Sequence, residues 1–344
     1  MKRGFVERNS SLVPDELLVS RRKKLAEKFG AFGVEAAIVY GDVADADELH
    51  YFVNLAPYWG SATSIIDRNG KQALVTGMTA RVNFWVAMMS GMDKKDVTGA
   101  GPNVNKALVK YLREHFPEGA SIGIVGDYFP EDMLNALEAG GYKGVWMTAA
   151  AREISSAQDA GFRETLLEGI DLMSKAVSKV LESAKTDGRT MRIIAADAEY
   201  ACRTAGAMDA VLLAGDAGLK FFKAPDKVSA EAWTLFILLQ YLGEWLVITR
   251  NTNPALNSEA FARRDAYLRE LRPGKRAAVS GEKDWQIELC PMVRSDHTAY
   301  IAGGELNLAP GQIISVRVSN REKGIMIEDM ALLGEEEGQL LTKI

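Results

Sequence analysis

Two stretches near the C-terminus decide the fold: L-A-P-G-Q-I-I-S-V at 308–316 and I-E-D-M-A-L-L at 327–333. They lie in apolar, Ile- and Val-containing runs, Ile313 to Val318 and Ile325 to Leu333, which predict two strands. Working back from them, Val211-Leu212-Leu213, Trp233 to Leu239 and Glu244 to Thr249 predict further strands. A helix of about Glu259 to Leu271, closed by Arg272-Pro273-Gly274, interrupts the series. Upstream, helical spacing runs from about Ala157 to Ala184 and, after Asp187-Gly188, from Met191 to Thr204. Helices followed by an antiparallel-looking sheet is an α+β order.

The first half has a different rhythm. A helix from Pro14 to Gly30 leads into a buried-strand run, Ala36 to Tyr40. Ser61 to Asp67 and Gln72 to Val75 flank Arg68-Asn69-Gly70, a hairpin signal in which Asn69 and Gly70 are both expected at positive φ. Helical patterns at Ala80 to Met89, Val104 to His115 and Glu131 to Ala139 alternate with strands at Ile122 to Val125 and Gly144 to Met147. The reading is an α/β domain over 1–150 and an α+β domain over 151–344.

The 344 residues carry 41 Lys and Arg against 46 Asp and Glu, a net charge of −5 that argues against a nucleic-acid partner. The basic run Arg21 to Lys24 is expected on a solvated helix face. Cys202 and Cys290 form no paired or metal-spaced motif and are expected to be buried, which suits a reducing cytoplasm. The N-terminus lacks an apolar leader run, and Gln240 and Glu244 interrupt the most apolar stretch, Ala232 to Ile248, so no export and no membrane partner are expected. His50 is expected at a domain surface, and Tyr58, Trp59, Phe84 and Trp85 in core packing.

The two opening stretches, together with A-R-E-I-S-S-A-Q-D at 151–159, L-G-E-W-L-V-I-T-R at 242–250, L-R-P-G at 271–274 and the tail Gly338 to Thr342, resemble the creatinase, aminopeptidase P and methionine aminopeptidase family. The resemblance implies a creatinase-type N-terminal α/β domain and a C-terminal α+β domain of the pita-bread fold, here shortened between Arg250 and Lys283. The family's peptidases hold two divalent metals through two Asp, one His and two Glu. By resemblance these positions fall on Phe236, Val247, a residue near Lys283, Arg317 and Glu328. One carboxylate in five positions implies no dinuclear metal site and no cofactor, with a single metal on Glu328, His297 and Asp296 as the alternative left open. It also predicts a buried Arg317–Glu328 pair on neighbouring strands. The family's substrate-side His falls near Phe222, so Phe222, Lys220, Phe236 and Val247 become candidate substrate-binding residues.

His297, in Arg294-Ser295-Asp296-His297-Thr298, joins Glu328, Arg317 and Lys283 as a candidate catalytic group, with proton transfer and cationic charge stabilisation as the available tools. The implied function is a metal-independent, creatinase-like enzyme acting on a C–N bond of a small polar molecule. The alternative is a non-catalytic homologue that binds a ligand or partner protein. By resemblance the chain is a homodimer.

Overall fold

The computed structural model describes residues 8–185, 188–215, 221–222, 233–274, 279–282, 284–290, 293 and 308–344. The chain divides into two compact units, Met1–Gly161 and Phe162–Ile344.

In the first unit the helices are α1 (Asp15–Glu27), α2 (Phe29–Phe32), α3 (Asp47–Val53), α4 (Asn83–Ser90), α5 (Val104–His115), α6 (Glu131–Ala139) and α7 (Thr148–Ser156). The strands are β1 (Ala36–Asp42), β2 (Ser61–Asp67), β3 (Gln72–Thr76), β4 (Val97–Gly99), β5 (Ser121–Val125) and β6 (Lys143–Trp146), ordered β4-β3-β2-β1-β5-β6. β1 sits centrally, antiparallel to β2 and parallel to β5, so its apolar run is buried on both faces. Ile38, Ile65, Val75, Leu108, Leu112, Ile122 and Ile124 share one core.

Four expectations change here. Among the β2–β3 turn residues only Gly70 has a positive φ, 75°. Asp67 Oδ1 instead accepts from Asn69 N and Lys71 N at 2.8 and 2.9 Å, so a side-chain-braced turn replaces the two-residue one. Arg21 and Arg22 are buried rather than solvated. Arg21 forks onto Asp159 at 2.6 and 2.8 Å and donates to Tyr51 O, while Arg22 donates to Phe52 O and Gly70 O at 3.2 Å. Burial pulls Arg22 down to about 10, against the opposing pull of Asp15. His50 is buried on α3, where an apolar helix face turns it inward. Trp59, Phe84 and Trp85 are about half exposed; for the last two the reason is that α4 buries Val86, Ala87 and Ser90 and turns its aromatic side outward, while Trp59 lies in the bend before β2.

The second unit is built on α8 (Ala160–Ala184), α9 (Met191–Thr204) and α10 (Pro254–Glu270), with strands β7 (Asp209–Gly215), β8 (Phe221–Phe222), β9 (Thr234–Tyr241), β10 (Glu244–Asn251), β11 (Val279–Glu282), β12 (Trp285–Cys290), β13 (Ile313–Asn320), β14 (Ile325–Leu333) and β15 (Gly338–Leu340). The sheet order is β11-β12-β13-β14-β10-β9-β7-β8, with β15 beside β14, and every pairing is antiparallel. α9 starts where predicted because Thr190 caps it, its side chain accepting from Ile193 N. α10 starts five residues before the predicted Glu259, since Asn253 caps Ala255 N and Pro254 fits the first turn. α10 packs on β13 and β14 through Leu268, Ile314, Val316 and Ala331.

The β9–β10 hairpin turns through Leu242 and Gly243, both at positive φ (46° and 95°). Leucine is a poor occupant of that conformation and asparagine a good one. Leu242→Asn is expected to stabilise the protein by about 0.5–1 kcal/mol in urea unfolding; an unchanged midpoint would refute the strain.

Candidate functional site

Register places one row of side chains across the second sheet. Phe236 stands opposite Thr249, Thr249 opposite Glu328, Glu328 opposite Arg317, and Arg317 opposite Glu288. Directly opposed residues of antiparallel strands share a face, and so do residues two apart, so Val247, Ser315 and Cys290 join this row. Five strands, β9, β10, β14, β13 and β12, therefore supply one continuous patch.

At its centre the Glu328 carboxyl is fully buried. Ser315 Oγ donates to its Oε1 at 2.5 Å, and Arg317 Nε donates to its Oε2 at 3.2 Å. Arg317 Nη1 also reaches Glu288 Oε2 at 3.3 Å. The Arg317–Glu328 pair predicted from sequence is thus one half of a Glu–Arg–Glu arrangement in which Arg317 and Glu288 keep 17% and 25% side-chain exposure. Burial, then the charges of Glu288 and Asp329, push Glu328 well above the usual carboxylate range, against a smaller opposing effect of Thr249. Burial also lowers Arg317, while Glu288 and Cys290 act to raise it.

Asp329, one residue on, points to the opposite, α10-covered face. Its carboxylate accepts from Arg250, Arg264 and the Thr342 hydroxyl and is fully buried. Arg250 Nη1 also donates to Glu328 O at 3.0 Å. Burial alone would raise Asp329, but the two guanidinium groups and the hydrogen bonds from Arg250 and Thr342 outweigh it and hold the carboxyl low.

The two neighbours should respond to pH in opposite senses. Glu328 is raised in the folded state, so folding takes up a proton, and its effect on stability worsens as pH rises from an unfolded value of about 4.3. Glu328→Gln is therefore expected to match the wild type in acid and to exceed its stability progressively above that pH. A variant that loses stability on the same climb would mean that Glu328 is an ionised partner of Arg317.

Of the residues singled out from sequence, Glu328, Arg317, Phe236 and Val247 come together on this face, the last two apolar and buried. Phe222 lies in β8, which pairs with β7; its side chain, and Lys220, Lys283 and His297, lie outside the described residues. Glu288, Ser315, Arg250 and Arg264 belong to the two charge clusters and were missed. Cys202 and Cys290 are both buried, and burial pushes the Cys202 thiol up to about 11, far from a reactive thiolate.

The donor set does not fit the two divalent ions that the resemblance would place here. Phe236 and Val247 offer no donor atom, Arg317 brings a like charge, and Glu328 is already engaged by Ser315 and Arg317. Among the described residues, no group of three or more His, Cys, Asp or Glu side chains is gathered in a way that could hold a metal. None of their helices is long and apolar enough to cross a membrane.

No sequence-family model matches the chain, and no curated protein matches it in sequence. Solved structures do match. The X-Pro aminopeptidase of Thermotoga maritima MSB8 superposes with a TM-score of 0.72 at 16% identity, over 94% of this chain and 97% of that one. The prolidase of Pyrococcus horikoshii OT3 gives 0.73 at 16% identity, over 94% and 98%. The Xaa-Pro dipeptidase of Bacillus anthracis gives 0.74 at 14% identity, over 95% and 98%. Near-complete coverage of both chains at this identity is a likeness of fold alone, and the fold is the pita-bread type, an α/β unit followed by an α+β unit.

Proposed function

We propose that this chain is a pita-bread homologue that has given up dinuclear metallopeptidase chemistry and binds a small polar ligand on the same sheet. The carrying observation is the row itself. Where the resemblance places metal-binding carboxylates stand Phe236, Val247 and Arg317, and the remaining carboxyl, Glu328, has no exposed surface and is satisfied from within the protein. A carboxyl closed off in this way supports a binding role over a reacting one. A homodimer is part of the proposal.

One observation favours the catalytic reading. A carboxyl pushed well above its usual range by burial, beside a guanidinium, has the character of a general acid, and perturbed groups of this kind gather at active sites. On that reading Glu328 and Arg317, with His297 and Lys283, act on a C–N bond of a small polar molecule without metal.

The test is protein purified without added metal or chelator and analysed for bound metal. It is then assayed on Xaa-Pro dipeptides with and without Mn²⁺, Co²⁺ and Zn²⁺, and screened by thermal shift against amide and guanidino compounds. The proposal expects substoichiometric metal, no hydrolysis, and saturable stabilisation by one compound class. Metal-dependent dipeptide hydrolysis abolished by chelator would overturn it. Metal-free turnover lost in a stably folded Glu328→Gln variant would replace it with the catalytic reading.

A further inference from the structure

Away from that sheet, the first unit carries a groove of about 860 Å³ between α5 and the C-terminal end of α6. Its bank is Lys106, Lys110 and Arg113, spaced four and three residues apart so that they line one side of α5. Its floor is Val109, Ala136 and Gly140, and Val109 packs so closely on α6 there that a Cβ on Gly140 would come within 2.8 Å of its Cγ1. All three cations are exposed; Lys110 makes a long, 3.8 Å contact with Glu114, while Lys106 and Arg113 make no ion pair among the described residues. Like charges lining one helix side repel, so this bank works against the isolated helix. Glu114 also lines the groove, so three cations face one carboxylate and the lining stays net positive on a chain of net charge −5.

We infer that the α5–α6 groove docks an acidic, amphipathic protein segment, its carboxylates on Lys106, Lys110 and Arg113 and its apolar side on Val109, Ala136 and Gly140. Charge complementarity selects the acid, and the narrow apolar floor selects a peptide. A nucleic-acid backbone would leave that floor unused and would meet the repulsion of the rest of the acidic chain.

The test uses the full chain and a fluorescein-labelled amphipathic helical peptide with Glu along one face and Ala and Leu along the other. The same peptide with Gln for Glu, and a labelled oligonucleotide of equal charge, serve as controls. Binding is expected for the Glu peptide alone, weakening as salt rises from about 0.05 to 0.5 M. Lys106→Glu with Arg113→Glu is expected to reduce it at least about tenfold while the melting temperature holds. Equal binding of the Gln peptide, preference for the oligonucleotide, or no effect of the double substitution overturns the inference. So does a large fall in melting temperature in that variant, because the cations would then serve the C-terminal dipole of α6. A milder pair, Lys106→Gln with Arg113→Gln, separates the two roles, since loss of peptide binding at unchanged stability belongs to docking alone.

Discussion

Asp329→Ala is expected to destabilise the protein by about 3–5 kcal/mol, because it takes the buried countercharge from Arg250 and leaves Arg264 only the half-exposed Asp265 at 2.8 Å. Arg250 and Arg264 are 3% and 7% exposed and both converge on this carboxylate. The Thr342 hydroxyl that anchors the chain end to it would lose its acceptor as well. The pH dependence carries the sign of a depressed acid. The stabilisation is complete above the unfolded carboxyl value of about 3.9 and is lost as pH falls through the lower folded value, so the wild type and Asp329→Ala should converge in acid. Urea unfolding at pH 7 and at pH 3 measures both points. A loss below about 1 kcal/mol at pH 7 would show that water reaches the arginines.

The first unit offers an effect of the same size. Asp159→Ala removes the forked acceptor of Arg21, whose side chain is 2% exposed and lies 4.1 Å from the Tyr51 ring centroid. The hydrogen bond to Tyr51 O remains, but a carbonyl satisfies geometry without neutralising charge. A loss of about 3–5 kcal/mol is expected, and Arg21→Met should recover part of it in the Asp159→Ala background by removing the stranded charge. If Arg21→Met adds its full cost on top of Asp159→Ala, the two residues are not coupled.

Local pattern made the framework legible and long-range charge did not. β14 and α9 coincide with the predicted runs Ile325 to Leu333 and Met191 to Thr204, because a closed apolar run and a capped helix are written in neighbouring residues. β4, three residues long, is too short to show a period. Arg21 and Arg22 read as a surface stripe, since the groups that hold them are 30, 48 and 138 positions away. At the sheet, the family resemblance, which puts Arg317 and Glu328 on neighbouring strands, was enough to pair them. The third member, Glu288, was within reach, because Trp285, Ile287 and Leu289 alternate with polar or small residues in the manner of a half-covered strand. The Asp329 cluster was not, because it joins β10, β14, α10 and the chain end, which only the folded sheet assembles.

The side-by-side carboxyls of β14 also bear on how the sheet finds its alignment. From Ile325 to Leu333 every residue but Glu328 and Asp329 is apolar, and both faces of the strand are covered, so greasiness alone does not distinguish the native alignment from one displaced by a single residue. Such a slip would exchange the two acids, turning the longer one toward Arg250 and Arg264 and the shorter toward Arg317 and Ser315. Discrimination then rests on one methylene group and on which hydroxyl, Thr342 or Ser315, each acid meets. Proofreading of strand alignment in this sheet is thus entrusted to its charges, and a variant that neutralises both acids together should collapse readily yet settle among misaligned forms.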